Sequence, residues 1–352
     1  MGTLVGVNSK QKGEALRQAF LATKQAQPGL RTRDLAQRLS VTEADVVAAG
    51  CIGTVVPLAG RWPEIVKRLP DLGTIMSLTR NEACVHEKVG RYTKVSVFGS
   101  MGLVLDPDID LRIFFNHWHF GYAVTEELEQ GQRHSLQFFD VDGMAVQKIF
   151  LRAESDGEAY AALCRDFGEP EQALPIVVPA AAPVPDRPDS AIDRTALRSQ
   201  WEALQDVHDF HAMLNERGCG RTQAFRLVGE DFARKVANDS CQGAIEAAAE
   251  SGLEIMVFVG SPGVIQIHTG PVSLVKRMGP WFNVLDSGFN LHLREDLIAE
   301  TWRVAKPTRD GIVTSLEAFD AEGRQIAWVF GKRKPNEPEL PEWQDLVVRV
   351  VS

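Results

Sequence analysis

The sequence predicts an α+β protein built from two similar halves, each with helices followed by a large antiparallel sheet. Three observations predict it. The period of the apolar residues changes from helical spacing near the N-terminus to alternation from about Val85 onward. A Pro-rich stretch then interrupts the pattern, with six prolines between Pro170 and Pro188, and the helical spacing starts again after it. Finally, the second pattern repeats the first residue by residue. Leu136, Phe139-Asp140, Gly143 and Phe150 correspond to Leu316, Phe319-Asp320, Gly323 and Phe330 at an offset of 180. Asp110-Leu111-Arg112-Ile113 falls opposite Asn290-Leu291-His292-Leu293 at the same offset. Gly99-Ser100-Met101-Gly102 matches Gly260-Ser261-Pro262-Gly263 at an offset of 161, which implies 19 extra residues in the second half. An internal repeat of this size makes a pseudo-twofold molecule with a cleft between elements of the two halves. The expected organisation is an N-terminal repeat over 1–168, a linker over 169–192 and a C-terminal repeat over 193–352.

Taken in order, Lys10–Gln25 reads as a helix with Leu16, Phe20 and Leu21 on one face, ending near Pro28-Gly29. Thr32–Gly50 reads as two short helices around a Ser-Val-Thr turn, with Thr42 starting the second. This resembles a helix-turn-helix and raises DNA binding as a remote alternative. The second helix carries acids and no Arg or Lys, so it would read a major groove poorly. Thr93–Phe115 reads as strands broken by Gly-Ser and Asp-Pro turns, and Asn116–Leu128 continues them. His134–Arg152 reads as a hairpin about Asp142-Gly143, and Gly157–Phe167 as a helix. The second half opens on Trp201–Leu214, read as one amphipathic helix with Ala203, Val207, Phe210 and Leu214 as its stripe.

Composition narrows the function. At 352 residues, 44% hydrophobic and 24% charged, the chain is that of a globular protein. No run approaches the roughly eighteen apolar residues that cross a bilayer, and the first residues lack a signal-peptide core, so the expected location is the cytoplasm and not a membrane. Five scattered cysteines without a CxxC pair argue against disulfides and structural zinc. The net charge of −9 disfavours nonspecific nucleic-acid binding.

GxGxxG, P-loop, GxSxG and HExxH motifs are all absent, so chemistry must come from dispersed residues or a bound cofactor. His117 and His119 alternate with Trp118 on an expected strand and read as a polar sheet face. His134, His268 and His292 read as structural, and His86 falls at a helix-to-strand transition. His208 and His211 are three apart and share one face beside the apolar stripe. They are either two surface histidines or part of a metal site. Asp206 and Asp209 fall on other faces and do not complete a bare-metal site. A metal that brings its own equatorial ligands needs a single imidazole, and haem is such a group. Haem also needs aromatic walls and cations for its propionates. Arg112 and Phe114 share a sheet face, Lys306 ends a strand, and Lys332-Arg333-Lys334 follow the last hairpin. Taken singly, each cation also reads as an ordinary surface charge.

Four stretches together resemble the cytoplasmic haemin-degrading and haem-trafficking factors of bacterial haem uptake, of the HemS/ChuS/HmuS type. They are LTRNEACVHEKVGRY (78–92), DLRIFFNHWHFGYAV (110–124), LQDVHDFH (204–211) and NLHLREDLIAETWRVAKPTRDGIVTSLEAFD (290–320). The resemblance spans the chain and both repeats. It implies haem in a cleft, His208 as axial iron ligand, Arg112 over the opposite haem face with Phe114 as a wall, and Lys306 and Arg333 on the propionates. Lys332 and Lys334 adjoin Arg333 and leave that last assignment loose. Some members carry further histidines directly after the ligand; here position 209 is Asp, and His211 is the nearby spare. The implied activity is haem oxygenase-like degradation with an external reductant and O2, in which Arg112 stabilises negative charge on iron-bound oxygen. The alternative is a non-catalytic haem chaperone. The implied partners are haem itself and a haem oxygenase, a reductase or an inner-membrane haem transporter; a homodimer is left open.

Overall fold

The computed structural model describes residues 9–169, 186–333 and 337–352. It divides into two compact units: one gathers Met1–Arg80, Glu87–Ala181 and Ser261–Gln266, the other Asn81–His86, Ala182–Gly260 and Ile267–Ser352. Five of the six linker prolines, and Lys334, lie outside the described residues.

Along the first half the elements are α1 (Ser9–Ala26), α2 (Thr32–Arg38), α3 (Glu43–Ala48), β1 (Thr54–Pro57), α4 (Trp62–Arg68), β2 (Gly73–Arg80), β3 (Cys84–Arg91), β4 (Val95–Phe98), β5 (Met101–Leu105), β6 (Asp110–Phe114), β7 (Phe120–Leu128), β8 (Gly131–Phe139), β9 (Ala145–Ser155) and α5 (Gly157–Phe167). In the first unit β1-β7-β8-β9-β2 form one antiparallel sheet and β4-β5-β6 an antiparallel meander. The sheet is covered on both faces. Trp62, Ile65 and Leu163 from α4 and α5 pack with Leu136, Phe138 and Ile149 on one side. Ala44 and Val47 of α3 pack with Tyr122, Val124 and Phe139 on the other.

The two short helices of Thr32–Gly50 are present, and α3 begins with a reciprocal cap. The Thr42 hydroxyl accepts from the Asp45 N–H at 3.1 Å, and the Asp45 carboxylate accepts from the Thr42 N–H at 2.9 Å. A buried ion pair, Lys148 Nζ to Glu43 Oε1 at 2.5 Å, fixes α3 to β9. Glu43, Ala44, Val46 and Val47 are all buried, so packing consumes most of the surface a groove-reading helix would present. We expect Thr42→Ala to cost about 1 kcal/mol, the usual worth of such a cap, read as a lowered midpoint in urea unfolding.

The second half continues with α6 (Arg194–Glu202), α7 (Asp209–Arg217), α8 (Arg221–Val228), β10 (Ala233–Val236), α9 (Ser240–Ser251), β11 (Ile255–Gly260), β12 (Val264–Gly270), β13 (Val275–Met278), β14 (Trp281–Asp286), β15 (Phe289–Arg294), β16 (Glu300–Thr308), β17 (Gly311–Phe319), β18 (Gln325–Gly331) and α10 (Pro341–Val350). Its sheet runs β10-β16-β17-β18-β11, and β13-β14-β15 form its meander. Both orders repeat those of the first unit strand for strand. Detail repeats as well. The β8–β9 and β17–β18 pairings shift register at Phe138/Phe139 and Ala318/Phe319. The carboxylates of Asp140 and Asp320 each accept the backbone N–H two and four residues on, at 2.8–3.1 Å. Each turn then closes on a left-handed glycine, Gly143 (φ 72) or Gly323 (φ 75), where a side chain would be strained.

Three expectations are corrected. The Gly-Ser match at offset 161 pairs the wrong turns. The β4–β5 turn at Gly99 (φ 56) corresponds to the β13–β14 turn at Gly279 (φ 59), so offset 180 holds there too and the second half has no 19-residue insertion. Strands begin at Thr54, well before Val85. β2 escapes a hydropathy reading because its inward positions include Ser77 and Thr79, which bond Gln147 and Gln266 inside the first unit at 2.6–3.0 Å. His117-Trp118-His119 lies on a 3-10 turn and the lead into β7, not on a strand. Trp118 is nevertheless buried between two exposed histidines, because it packs against Trp62, Phe115 and Phe138, and its indole N–H donates to the Gly263 carbonyl at 3.2 Å.

Candidate functional site

Trp201–Leu214 is not one helix. α6 stops at Glu202 and α7 starts at Asp209, with a turn between them. The cause is Asp206, whose side-chain Oδ1 accepts the backbone N–H of His208 at 2.9 Å, a local bond that competes with the helical one. Of the expected stripe, Phe210 and Leu214 are buried, while Val207 is half-buried and Ala203 exposed.

His208 stands at the N-cap of α7 with its side chain 79% exposed. Its Nδ1 lies 2.6 Å from the same Asp206 Oδ1. The His208 backbone N–H, opposed by burial and helped by the ring and Arg309, holds the Asp206 carboxyl below the usual range. An ionised carboxylate only accepts, so Nδ1 carries the proton and a neutral ring keeps Nε2 as its lone-pair nitrogen. His211 is exposed one turn on, along the same face.

Beneath the turn, Phe210 anchors α7. Its ring meets Trp201 edge-on at 4.7 Å between centroids, and the Trp201 indole donates to the Ala305 carbonyl at 2.9 Å. The Lys306 ammonium lies 4.7 Å and the Arg221 guanidinium 5.1 Å from the Phe210 ring centre. Both cations bond Glu317, Lys306 at 2.7 Å and Arg221 at 2.8 and 3.1 Å. Glu317 is fully buried and also accepts from Ser315 at 2.9 Å and Gln325 at 3.1 Å. Burial alone would raise its carboxyl; Arg221 and then Lys306 outweigh that and bring it down to about 2. Burial pushes Lys306 down to about 8 against the pull of Glu317. Lys306 is therefore a buried, bonded cation and not an ordinary surface charge.

Past β18, Lys332 bonds both carboxylate oxygens of Glu254 at 2.8 Å. Arg333 differs: its Nη1 is buried without a hydrogen-bond partner among the described residues, and so is Oε1 of the buried Glu339. His208, His211, Lys306 and Arg333 all belong to the second unit.

Arg112 and Phe114 belong to the first unit, on β6. Cross-strand pairing sets Phe98, Met101 and Phe114 in one row of the meander's outer face, with Ser96, Leu103 and Arg112 in the next. Phe98, Met101 and Leu105 are 65%, 44% and 45% exposed, so Arg112 sits in an apolar, aromatic surround. Its guanidinium bonds Asp110, two residues away on the same face. Among the described residues, no three His, Cys, Asp or Glu side chains converge to hold a metal ion, and no helix is long and apolar enough to cross a membrane.

A family model for the haemin-degrading HemS/ChuX domain matches twice, over residues 40–167 and 218–350, once in each repeat. The chain belongs to this haemin-degrading HemS/ChuX family. Among family relatives, the hemin transport protein HmuS of Yersinia pestis is 37% identical over 339 residues, covering 96% of this chain and 98% of that one. The hemin transport protein HemS of Yersinia enterocolitica is 38% identical over 341 residues, covering 96% and 97%. The structure is similar to holo-PhuS, a heme-binding protein from Pseudomonas aeruginosa, with a TM-score of 0.92 and 47% identity over 95% of this chain and 98% of that one. It is also similar to the heme-degrading enzyme ChuS of Escherichia coli O157:H7, with a TM-score of 0.90 and 35% identity over 97% and 100%.

For a HemS/ChuX-family chain, the residues that sequence reasoning missed are informative. Continuous helical geometry predicts Asp206 turned away from His208; the break in the helix brings it back. The spacing D-x-H is itself an Asx-turn signal and could have shown this. Arg221, Glu317, Phe98 and Met101 emerge only from long-range pairing.

Proposed function

We propose that this chain binds haem with His208 as the axial iron ligand and opens the ring to release iron. The observation that carries the reading is the His208 imidazole: highly exposed, with Nδ1 occupied by a carboxylate and Nε2 left to coordinate. Resemblance to ChuS, described as a heme oxygenase, supports the degradative step. Arg112 offers a permanent cation in an apolar surround, where it is worth most to charge building on oxygen, and Asp110 fixes its orientation. Phe114, with Phe98 and Met101, supplies aromatic and apolar wall. Arg333 brings a buried N–H group, without a partner among the described residues, that suits a propionate. Lys306 adds the field of a cluster holding two cations and one carboxylate. Iron in bound, reduced haem supplies the oxygen chemistry; an external donor and O2 are required.

A second reading is a haem carrier. It is favoured by the relatives named hemin transport proteins and by the exposure of His208 with His211 one turn away, both reachable from solvent. One experiment separates the two: haemin is added, then reductant and catalase, and the Soret band is followed. Its loss with a stoichiometric tetrapyrrole product is expected; a stable ferrous complex that passes haem to an acceptor supports the carrier. Arg112→Ala is expected to keep haem affinity within a few-fold and slow degradation about 10²-fold, the usual scale for removing one charge-stabilising donor. Unchanged turnover in that variant removes Arg112 from the chemistry.

A further inference from the structure

Resting on His208 as the ligand, we propose that Asp206 is the positioning residue that makes it one, by holding the ring as its Nδ1–H tautomer and turning Nε2 into the donor nitrogen. One oxygen, Asp206 Oδ1, accepts both the His208 backbone N–H at 2.9 Å and the ring Nδ1–H at 2.6 Å. Backbone and ring of the same residue are thus tied to one point, which fixes the ring's rotation as well as its proton. A neutral, unconstrained imidazole prefers the proton on Nε2, the tautomer that cannot coordinate through that atom, so the carboxylate reverses an intrinsic preference. A carboxylate behind the ring also makes the imidazole a stronger donor to iron.

Asp206 can do this because its own turn is pinned. The Arg309 backbone N–H, from the β16–β17 turn, donates to the Gln205 carbonyl at 3.1 Å. The Leu204 N–H donates to the Trp201 carbonyl at 3.2 Å and the Asp209 N–H to the Asp206 carbonyl at 3.2 Å. Phe210, 2% exposed, wedges the start of α7 against Trp201 and the Lys306–Glu317–Arg221 cluster. The hairpin and the buried wedge therefore fix where the carboxylate sits, and the carboxylate fixes the ring.

The rival account is that Asp206 merely shapes the turn. Asp206→Asn separates the two, since its amide oxygen still accepts the backbone N–H but, being uncharged, accepts the ring Nδ1–H more weakly and holds that tautomer less firmly. The first measurement needs no haem: 15N NMR of the His208 side chain in the unloaded protein above its titration range. The expected result is an Nδ1–H ring in the wild type and a shift toward Nε2–H in Asp206→Asn and Asp206→Ala, with the fold of Asp206→Asn retained by circular dichroism. With haemin, both variants are expected to release it roughly 10–100-fold faster, the usual effect of losing a ligand's supporting carboxylate. Both should also lower the iron–histidine stretching frequency of the ferrous complex in resonance Raman. An Nε2–H ring in the wild type overturns the proposal, as does an Asp206→Asn variant with wild-type tautomer, stretch and release rate. Wild-type haemin affinity and spectrum in His208→Ala would instead overturn the ligand reading and with it the iron part of the proposal, while the NMR result would still decide the Asp206–His208 contact.

Discussion

Replacing His208 with alanine should abolish the iron-coordinated spectrum on haemin addition and weaken binding by about 10²-fold or more. The residual affinity should come from apolar burial and propionate contacts, which the substitution leaves intact. The fold should survive, because the side chain is 79% exposed and its hydrogen bonds end at Asp206. A haemin titration followed at the Soret band, with a thermal melt as control, checks both halves of the expectation. His211→Ala is the informative companion. His211 lies one turn on, and the Asp209 two residues before it already belongs to α7, whose helical spacing turns the two side chains to different faces, so His211→Ala should change the rate of haem transfer more than the equilibrium spectrum. A wild-type Soret titration in His208→Ala would sink the ligand assignment.

Glu317→Ala should be the most destabilising of the substitutions considered. It removes the one carboxylate between Lys306 and Arg221 and leaves a buried ammonium beside a mostly buried guanidinium. Breaking a buried ion pair in this way costs on the order of 3–5 kcal/mol. Ser315 and Gln325 also lose their acceptor. Urea unfolding at neutral pH measures the loss directly. The pH dependence has a defined sign. A carboxyl lowered to about 2 stabilises the fold fully above its ordinary value of 4.5, and that stability disappears as pH falls toward 2. The gap between wild type and Glu317→Ala should therefore be widest at neutral pH and narrow on acidification. A constant gap from pH 7 to pH 3 contradicts it. A Glu317→Leu, Lys306→Met double variant should recover part of the stability, because apolar replacements of similar volume need no charge compensation.

Legibility followed the range of the interaction. Helix Gly157–Phe167 and the turns at Gly143 and Gly323 were readable because their causes are local: an Asp N-cap, an Asp-x-x-Gly turn, alternating strands on either side. The duplication was readable because matched residues recur at a fixed distance. β1 and β2 were not, since one is four residues long and the other points Ser77 and Thr79 inward, where partners far along the chain satisfy them. The expected stripe through Trp201–Leu214 failed at its centre because one side-chain hydrogen bond from Asp206 outcompetes a helical turn that hydropathy alone supports. Of the candidate site, the proposed ligand His208 and the Arg112–Phe114 face are places that short patterns single out. The partners that give them chemistry, Asp206 for His208, Glu317 for Lys306 and the Phe98–Met101 row beside Arg112, depend on turns and cross-strand registers that no pattern over a few residues contains.

The strand orders of the two units, with their matching register shifts and glycine turns, give this chain an alignment against itself. A residue needed only to build the repeat should occur in both copies, and a residue needed only for chemistry is free to occur in one. Asp140 and Asp320 sort into the first group, holding the same turn twice. Arg112 and His292 sort into the second, at the same register of β6 and β15 with different side chains. His208 also sorts there: ahead of β1 and β10 the strand registers give an offset of 178, which sets Leu30 opposite it, a side chain that can neither coordinate nor accept a proton. Exchanging each position for its own counterpart would separate scaffold from chemistry with substitutions the fold already tolerates elsewhere in the same molecule.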